Sequence, residues 1–249
     1  MKRFSEYANR LSRRALLLAF LIWPAWSGAE QTAPLEEPDI DLFDIDSLRR
    51  GAELYADRCV GCHSLKHLRY QRLKKDLKLS DEAFKKLFPW LKRPIGTVTS
   101  GMTGEDSERW FGVAAPDLSE RARALGTDWI YTYLRTFYRD DSRPFGVNNW
   151  VFEDVAMPHV LWDLQGEQKA ITRTIDETPV IVKLESVKRG SMPPREFDRA
   201  VADLVNFLAY AAEPAQLERR RIGKYVIGFL LVLAFVLYRL KKVYWKDVH

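Results

Sequence analysis

The pentapeptide Cys59-Val60-Gly61-Cys62-His63 contains both cysteines of this 249-residue chain and constrains its fold more than any other feature. Two thiols at this spacing can each bond one vinyl group of the same porphyrin, and the imidazole that follows can bind the iron. A zinc site would need further thiols or imidazoles at ligand spacing, and a thioredoxin-like site would need a surrounding βαβ unit. The motif therefore predicts one covalently bound haem c per chain.

Apolar periodicity predicts a mainly α fold around this motif. Residues 46–58 have the pattern of an amphipathic helix, with Asp46 as its N-terminal cap. A weak alternation of apolar and polar side chains over residues 168–187, around Pro179, predicts a small β-hairpin. Further helices are predicted within residues 66–92, with Ser80 as an N-terminal cap, and over residues 105–111, 127–138 and 195–212.

The first 29 residues have the features of an export signal. Five cationic side chains precede an apolar run at residues 15–23, and the small residues Ser27-Gly28-Ala29 follow it. This pattern predicts cleavage before Glu30, and the alternative is a retained first membrane anchor. Haem attachment after export places the domain of residues 30–218 on the periplasmic side of a bacterial inner membrane.

A second apolar segment covers residues 222–238 and contains Lys224 as its only charge. Its 17 residues would span about 25 Å as a helix, which is near the lower limit for crossing a bilayer. We expect one C-terminal transmembrane helix over residues 219–241 and a cytoplasmic tail over residues 242–249. A buried core helix is the alternative.

The charge of the chain is divided unevenly along its length. Residues 1–29 carry +4 and residues 219–249 carry +7, so the chain's +5 leaves −6 for the expected exported domain. Acidic side chains concentrate in residues 36–46, where they either steer a basic soluble partner or remain solvated. Nucleic acid is not an expected partner, because the basic residues cluster in the signal and around the membrane segment.

Iron held by His63 leaves one axial position for a second ligand. The residues that could supply it are Met102, Met157, Met192, His67 and His159. Met157 and Met192 both lie beside prolines in irregular segments, and the local pattern favours Met157 only slightly. A thioether ligand would raise the reduction potential and would leave no open position for substrate.

Several segments together resemble the cytochrome c1 family, which supplies the haem c subunit of quinol–cytochrome c reductase (cytochrome bc1) complexes. The resemblance covers nearly all of residues 30–249. It rests on the haem motif and on four further features, which are Ala115-Pro116-Asp117-Leu118-Ser119, Ala156-Met157-Pro158, the ending Val205-Asn206-Phe207-Leu208-Ala209-Tyr210-Ala211-Ala212-Glu213-Pro214, and the final apolar segment.

The resemblance implies an elaborated class I cytochrome c fold and a set of haem-binding residues. Cys59 and Cys62 would attach the haem, while His63 and Met157 would bind its iron. Pro116 would lie against the haem on the His63 side. Either Arg121 or Arg123 would pair with a haem propionate, and the sequence leaves this choice open.

The resemblance also implies an electron carrier that is not an enzyme on its own. It would accept one electron from a Rieske iron-sulfur protein and pass it to a soluble or tethered cytochrome c, beside cytochrome b and membrane lipid in a dimeric complex. One alternative is a free-standing, membrane-tethered monohaem cytochrome that feeds a terminal oxidase. Another is a haem enzyme or sensor with an open iron site.

Overall fold

The chain folds into helices and short antiparallel sheets around one apolar core. A computed structural model describes residues 33–175 and 177–246, so the predicted export signal at residues 1–29 lies outside the described residues. The elements in chain order are α1 Ile45–Arg58, β1 Leu65–Arg69, α2 Tyr70–Asp76, α3 Asp81–Leu87, β2 Thr97–Val98, α4 Gly104–Phe111, α5 Arg121–Leu125, α6 Thr127–Arg135, β3 Phe137–Arg139, β4 Val147–Asn149, α7 Trp162–Gln165, β5 Gly166–Ile175, β6 Thr178–Arg189, α8 Pro194–Ala212 and α9 Gln216–Tyr244.

The centre of the fold is the crossing of α1 with α8. Both helices turn an apolar face toward the other, and the rings of Tyr55 and Phe207 meet with their centroids 5.5 Å apart. Gly51 lets the backbones approach closely, because a Cβ at this position would lie 2.0 Å from the carbonyl oxygen of Asp203. At the edge of the crossing, Arg50 forms a bidentate ion pair with Asp203 at 2.6 and 2.9 Å. This contact ties the N-terminal half of α1 to α8.

Polar contacts tie the segment ahead of α1 to the same core. The fully buried amide of Asn206 donates to the carbonyl of Asp41 at 2.8 Å and to the hydroxyl of Ser47 at 2.9 Å. Part of the acidic stretch at residues 36–46 is also engaged internally, since Glu36 pairs with Arg135 and Asp46 pairs with Arg49. The carboxylates available for steering a basic partner are therefore fewer than the sequence suggests.

Several predicted elements are confirmed, although some of their details are wrong. The carboxylate of Asp44, not Asp46, caps α1 by accepting from the amides of residues 46 and 47. Ser80 caps α3 as predicted. The helix predicted over residues 127–138 ends at Arg135, because Phe137 begins a strand that pairs with Asn149. The helix predicted over residues 195–212 is α8, which has Pro194 in its first turn.

The predicted hairpin is longer than the sequence signal suggested. β5 and β6 pair antiparallel from Gly166 opposite Arg189 to Ile175 opposite Thr178. Pro179 lies on β6 opposite Thr174, and the chain reverses through Glu177, whose φ is +65°. The two additional sheets, β1 with β2 and β3 with β4, were not predicted.

The final helix, α9, contains 29 residues, none of which is buried. The apolar segment predicted to cross a membrane forms its central part, and these side chains lie at the surface. Among the described residues, no helix combines the length and the hydropathy of a membrane span.

Candidate haem-binding site

The haem motif at residues 59–63 continues directly from the C-terminal end of α1. The amide of Cys59 donates to the carbonyl of Tyr55 at 2.9 Å. The amides of Cys62 and His63 both donate to the carbonyl of Cys59, at 3.1 and 2.8 Å. These bonds wind the motif into a tight turn, and the two cysteines and the histidine line the same cleft. Because α1 is fixed against α8, the cleft has a defined place in the fold.

Tyr55 fastens this turn from the core side. Its side chain is fully buried, and its hydroxyl donates to the carbonyl of His63 at 2.6 Å. We expect Tyr55→Phe to lower the free energy of unfolding by about 1–3 kcal/mol, because a part-buried carbonyl loses its donor. Chemical denaturation of the haem-loaded protein would measure this, and the visible spectrum should stay unchanged. An unaltered denaturation midpoint would contradict the assigned role of the hydroxyl.

His63 is oriented by the segment that contains Pro116. The carbonyl of Pro116 lies 2.7 Å from Nδ1 of His63, and a carbonyl can only accept, so Nδ1 carries the proton. Burial lowers the pKa of His63, and the nearby charge of Arg121 lowers it further. The ring is therefore neutral at pH 7, and its Nε2 lone pair is available to a metal ion.

The Pro116 segment is itself tied to the chain that leaves the motif. The carboxylate of Asp117 accepts from the amide of Lys66 at 3.0 Å, and the hydroxyl of Ser119 accepts from the amide of His67 at 3.0 Å. On the other side, the hydroxyl of Ser107 accepts from the amide of Ala115 at 2.8 Å. These bonds set the position of the carbonyl that orients His63.

The cleft itself is mainly apolar and contains about 530 Å³ of empty space, including its open mouth. Phe111, Val113 and Val160 supply much of its lining, and Met157 lines it together with His63. The hydroxyl of Tyr133 lies 3.4 Å from the sulfur of Met157 and can donate to it. Burial raises the pKa of Tyr133, so this hydroxyl keeps its proton.

This donor set fits a c-type haem. Two thiols, an imidazole with a free Nε2 and a thioether line one apolar cleft, which is the combination needed for two covalent attachments and two axial ligands. A sequence model described as the Cytochrome C1 family matches residues 37–109 and 103–248, which is most of the chain. The chain belongs to the cytochrome c1 family. Members carry one covalently bound haem c per chain and act in respiratory electron transport.

Similar curated proteins extend over nearly the same length. A cytochrome c1 from Allochromatium vinosum is 48% identical over 239 residues, which cover 94% of this chain and 96% of the relative. A Nitrosomonas europaea protein named ammonia monooxygenase gamma subunit is 41% identical over 236 residues, which cover 94% of this chain and 97% of the relative. A cytochrome b/c1 from Bradyrhizobium diazoefficiens is 25% identical over 237 residues, which cover 83% of this chain and 34% of the relative.

Three of the other iron-ligand candidates in this cytochrome c1 family member lie outside the cleft that contains His63. Met192 lines a separate groove, beside Arg50 and Asp203. Met102 does not line the cleft, although its amide donates to the carbonyl of Gly61 at 3.0 Å. His67 is exposed, with Nδ1 3.6 Å from a carboxylate oxygen of Glu120.

His159 is buried two residues beyond Met157. Its ring is parallel to that of Phe137, with the centroids 4.9 Å apart. Burial lowers the pKa of His159 to about 4, so the ring is neutral at pH 7. His159 lines a different groove from Met157, and aromatic stacking holds it there. Of the five candidates, Met157 is therefore the one whose side chain shares the cleft with His63.

The two candidate propionate partners differ in their surroundings. Both lie on α5, and neither lines the cleft. Arg121 is half-buried and close enough to His63 to lower its pKa, whereas Arg123 is exposed. This favours Arg121 as the arginine that reaches the haem edge.

Sequence reasoning missed the parts played by Tyr55 and Tyr133. Both lie in segments predicted as helices, at residues 46–58 and 127–138, and both pack in or against the core. Their hydroxyl groups bond to atoms in other segments of the chain, namely the carbonyl of His63 and the sulfur of Met157. Helical periodicity describes which face of the helix is buried, but it contains no signal for a hydroxyl partner.

We expect Tyr133→Phe to lower the reduction potential of the haem-loaded protein by an amount on the order of tens of millivolts. A donor on the sulfur withdraws electron density from a thioether ligand and so disfavours ferric iron; removing it reverses this effect. A redox titration followed by absorption would measure the change. Tyr131→Phe, on the same helix, is the matched control and should leave the potential unchanged. Equal shifts in the two variants would exclude a specific effect of the Tyr133 hydroxyl.

Proposed function

We propose that this chain is the one-electron carrier of a quinol–cytochrome c reductase. It would accept an electron from a Rieske iron-sulfur protein and pass it to a soluble or tethered cytochrome c. The observation that carries the proposal is the match to the cytochrome c1 family over most of the chain, joined to a cleft that contains the four expected donors. The reductase would act as a complex, and this subunit would not be catalytic alone.

The residues of the cleft suit electron transfer better than bond-making chemistry. Cys59 and Cys62 would hold the porphyrin, while His63 and Met157 would occupy both axial positions. When bound, the haem supplies reversible one-electron exchange at its iron. The carbonyl of Pro116 fixes the tautomer of His63, and the mainly apolar lining offers few polar partners to water beside the ligands. With both positions occupied, no place is left for a substrate.

The proposed partners rest on the relatives and on the charges of the chain. The Bradyrhizobium relative is named cytochrome b/c1, and this chain matches about a third of it, which supports an association with cytochrome b. We propose that Arg121 meets a haem propionate, because it is the arginine near His63. A dimeric complex is part of the same proposal.

We further propose that the chain is anchored in a bacterial inner membrane with its haem domain in the periplasm. The boundaries would be a signal at residues 1–29, an exported domain at 30–218, an anchor at 219–241 and a tail at 242–249. Support comes from α9, whose exposed apolar side chains over residues 225–238 are interrupted by no charge. Lys224 and Arg239 flank this stretch and can extend toward lipid headgroups.

A redox difference spectrum of the complex isolated gently from membranes tests the reductase proposal. A tag placed after His249 would allow isolation through this chain. We expect b-type haem to accompany haem c, and quinol to reduce both. Haem c alone at every detergent strength would favour the free-standing tethered carrier. Because one relative is named as an ammonia monooxygenase subunit, ammonia oxidation should be assayed in the same preparation. Its presence without b-type haem would also refute the reductase proposal.

A further inference from the structure

A groove lies where the first turns of α9 meet the segment ahead of α1. It contains about 1060 Å³ of empty space, including its open mouth. One part of its lining is apolar and the other part is mainly cationic. The residues that line it are Phe43, Ile45, Leu217, Glu218, Arg220, Arg221 and Lys224.

Three of these cations have no acidic partner among the described residues. Arg220, Arg221 and Lys224 lie farther than 4.0 Å from every carboxylate there. Arg219, by contrast, pairs with Glu213. The carboxylate of Glu218, the acidic residue of the lining, lies 3.9 Å from the guanidinium of Arg72 and is partly neutralised by it. The groove therefore presents an excess of positive charge.

The acidic residues of the neighbouring segment do not cancel this charge at close range. The carboxylate of Asp44 accepts from two amides at the start of α1. Asp46 pairs with Arg49, and a carboxylate oxygen of Asp41 accepts from the amide of Phe43. The partners of Asp44 and Asp46 lie outside the groove, and none of the three carboxylates pairs with a cation of the groove.

Apolar surface begins where the cationic part of the groove ends. Phe43 is 52% exposed, and the guanidinium of Arg220 lies 5.7 Å from the centre of its ring. Further along α9, Ile222 is 50% exposed and Val226 is 47% exposed. A cationic recess next to a long apolar helix surface matches a molecule with an anionic head and a hydrocarbon tail.

We propose that this groove binds the phosphodiester of an anionic phospholipid, whose acyl chains lie along the apolar surface of α9. This inference rests on the proposed membrane anchoring and adds a lipid class to it. Arginine suits the head group because its planar guanidinium can donate two hydrogen bonds to one phosphate. The lipid would fill the junction between the haem domain and its anchor.

The test uses the full-length haem-loaded protein in nanodiscs made from equal parts of phosphatidylglycerol and phosphatidylcholine. After mild delipidation in detergent, native mass spectrometry counts the lipids that remain bound. We expect phosphatidylglycerol to be retained about ten-fold over phosphatidylcholine. The variant R220Q/R221Q/K224Q should lose this preference. The matched control, R239Q/K241Q/K242Q, removes the same charge from the open surface at the other end of α9 and should keep it.

Four results would overturn the proposal. The first two are equal retention of the two lipids by the unmodified chain and an unchanged preference in R220Q/R221Q/K224Q. The others are an equal loss of preference in the matched control and displacement of phosphatidylglycerol by an equal concentration of inorganic phosphate. Displacement by phosphate would indicate an isolated-anion site. Visible spectra of both variants would establish that the haem domain is folded. Alkaline carbonate extraction of membranes tests the anchoring separately, so failure of the anchor can be distinguished from failure of the lipid site.

Discussion

Replacing Met157 with leucine should lower the reduction potential of the haem-loaded protein by on the order of 0.1–0.3 V. Met157 is the candidate thioether that lines the cleft together with His63. A thioether stabilises ferrous iron relative to ferric iron, and leucine offers no donor atom in its place. The sulfur-to-iron absorption band of the oxidised protein should disappear in the same variant. A redox titration and an oxidised spectrum measure both changes.

Met192→Leu is the matched control, because the two methionines have almost the same local sequence. Met192 lies beside Pro193 just as Met157 lies beside Pro158, yet Met192 lines a different groove. This control should keep both the absorption band and the potential. If Met192→Leu loses the band and Met157→Leu keeps it, the ligand assignment is wrong. Loss of the band in neither variant would point to a nitrogen ligand or to an open position.

The sequence predicted the haem motif but could not by itself choose this methionine. Attachment of a haem depends on five consecutive residues, so its signal is local. Met157, the candidate second ligand, reaches the cleft through the packing of a segment about a hundred positions further along the chain. Similar residues flank Met157 and Met192. The two methionines are distinguished only by the path of the backbone, which brings Met157 and not Met192 to the cleft. The family resemblance pointed to Met157 because it aligned the whole segment rather than the methionine alone.

The errors in the predicted fold have a common physical origin. Aromatic residues over positions 127–138 continue a helical pattern, but the pairing of Phe137 with Asn149 and of Tyr138 with Asn148 ends the helix early. Likewise, Pro179 suggested the turn of the hairpin, whereas proline is accepted on a strand at a sheet edge. In both places strand pairing outweighed a preference read from the local sequence. The long amphipathic helix α8 was predicted well, because its apolar residues repeat at helical spacing over 19 residues.

The variant Gly51→Ala should destabilise the haem domain by about 3 kcal/mol, the upper end of the usual cost of overpacking a core. Alanine is the better helix former, so an isolated α1 would gain about 1 kcal/mol from the change. In the folded protein, however, the added Cβ would lie 2.0 Å from the carbonyl oxygen of Asp203 and 2.7 Å from Cβ of Phe207. These are backbone and near-backbone atoms, so α1 and α8 would have to move apart. Thermal unfolding of the haem-loaded protein measures the loss.

Gly61→Ala is the control for this effect, because it adds the same methyl group within the haem motif itself. A Cβ on Gly61 would meet no atom within 4 Å, and we expect the variant to unfold close to the unmodified protein. If closeness to the haem decided how much stability a Gly→Ala change costs, Gly61 would be the more sensitive position. The opposite order is expected because the crossing of α1 with α8 sets the position of the motif. Equal stability of the two variants would show that this crossing can relax without loss of the fold.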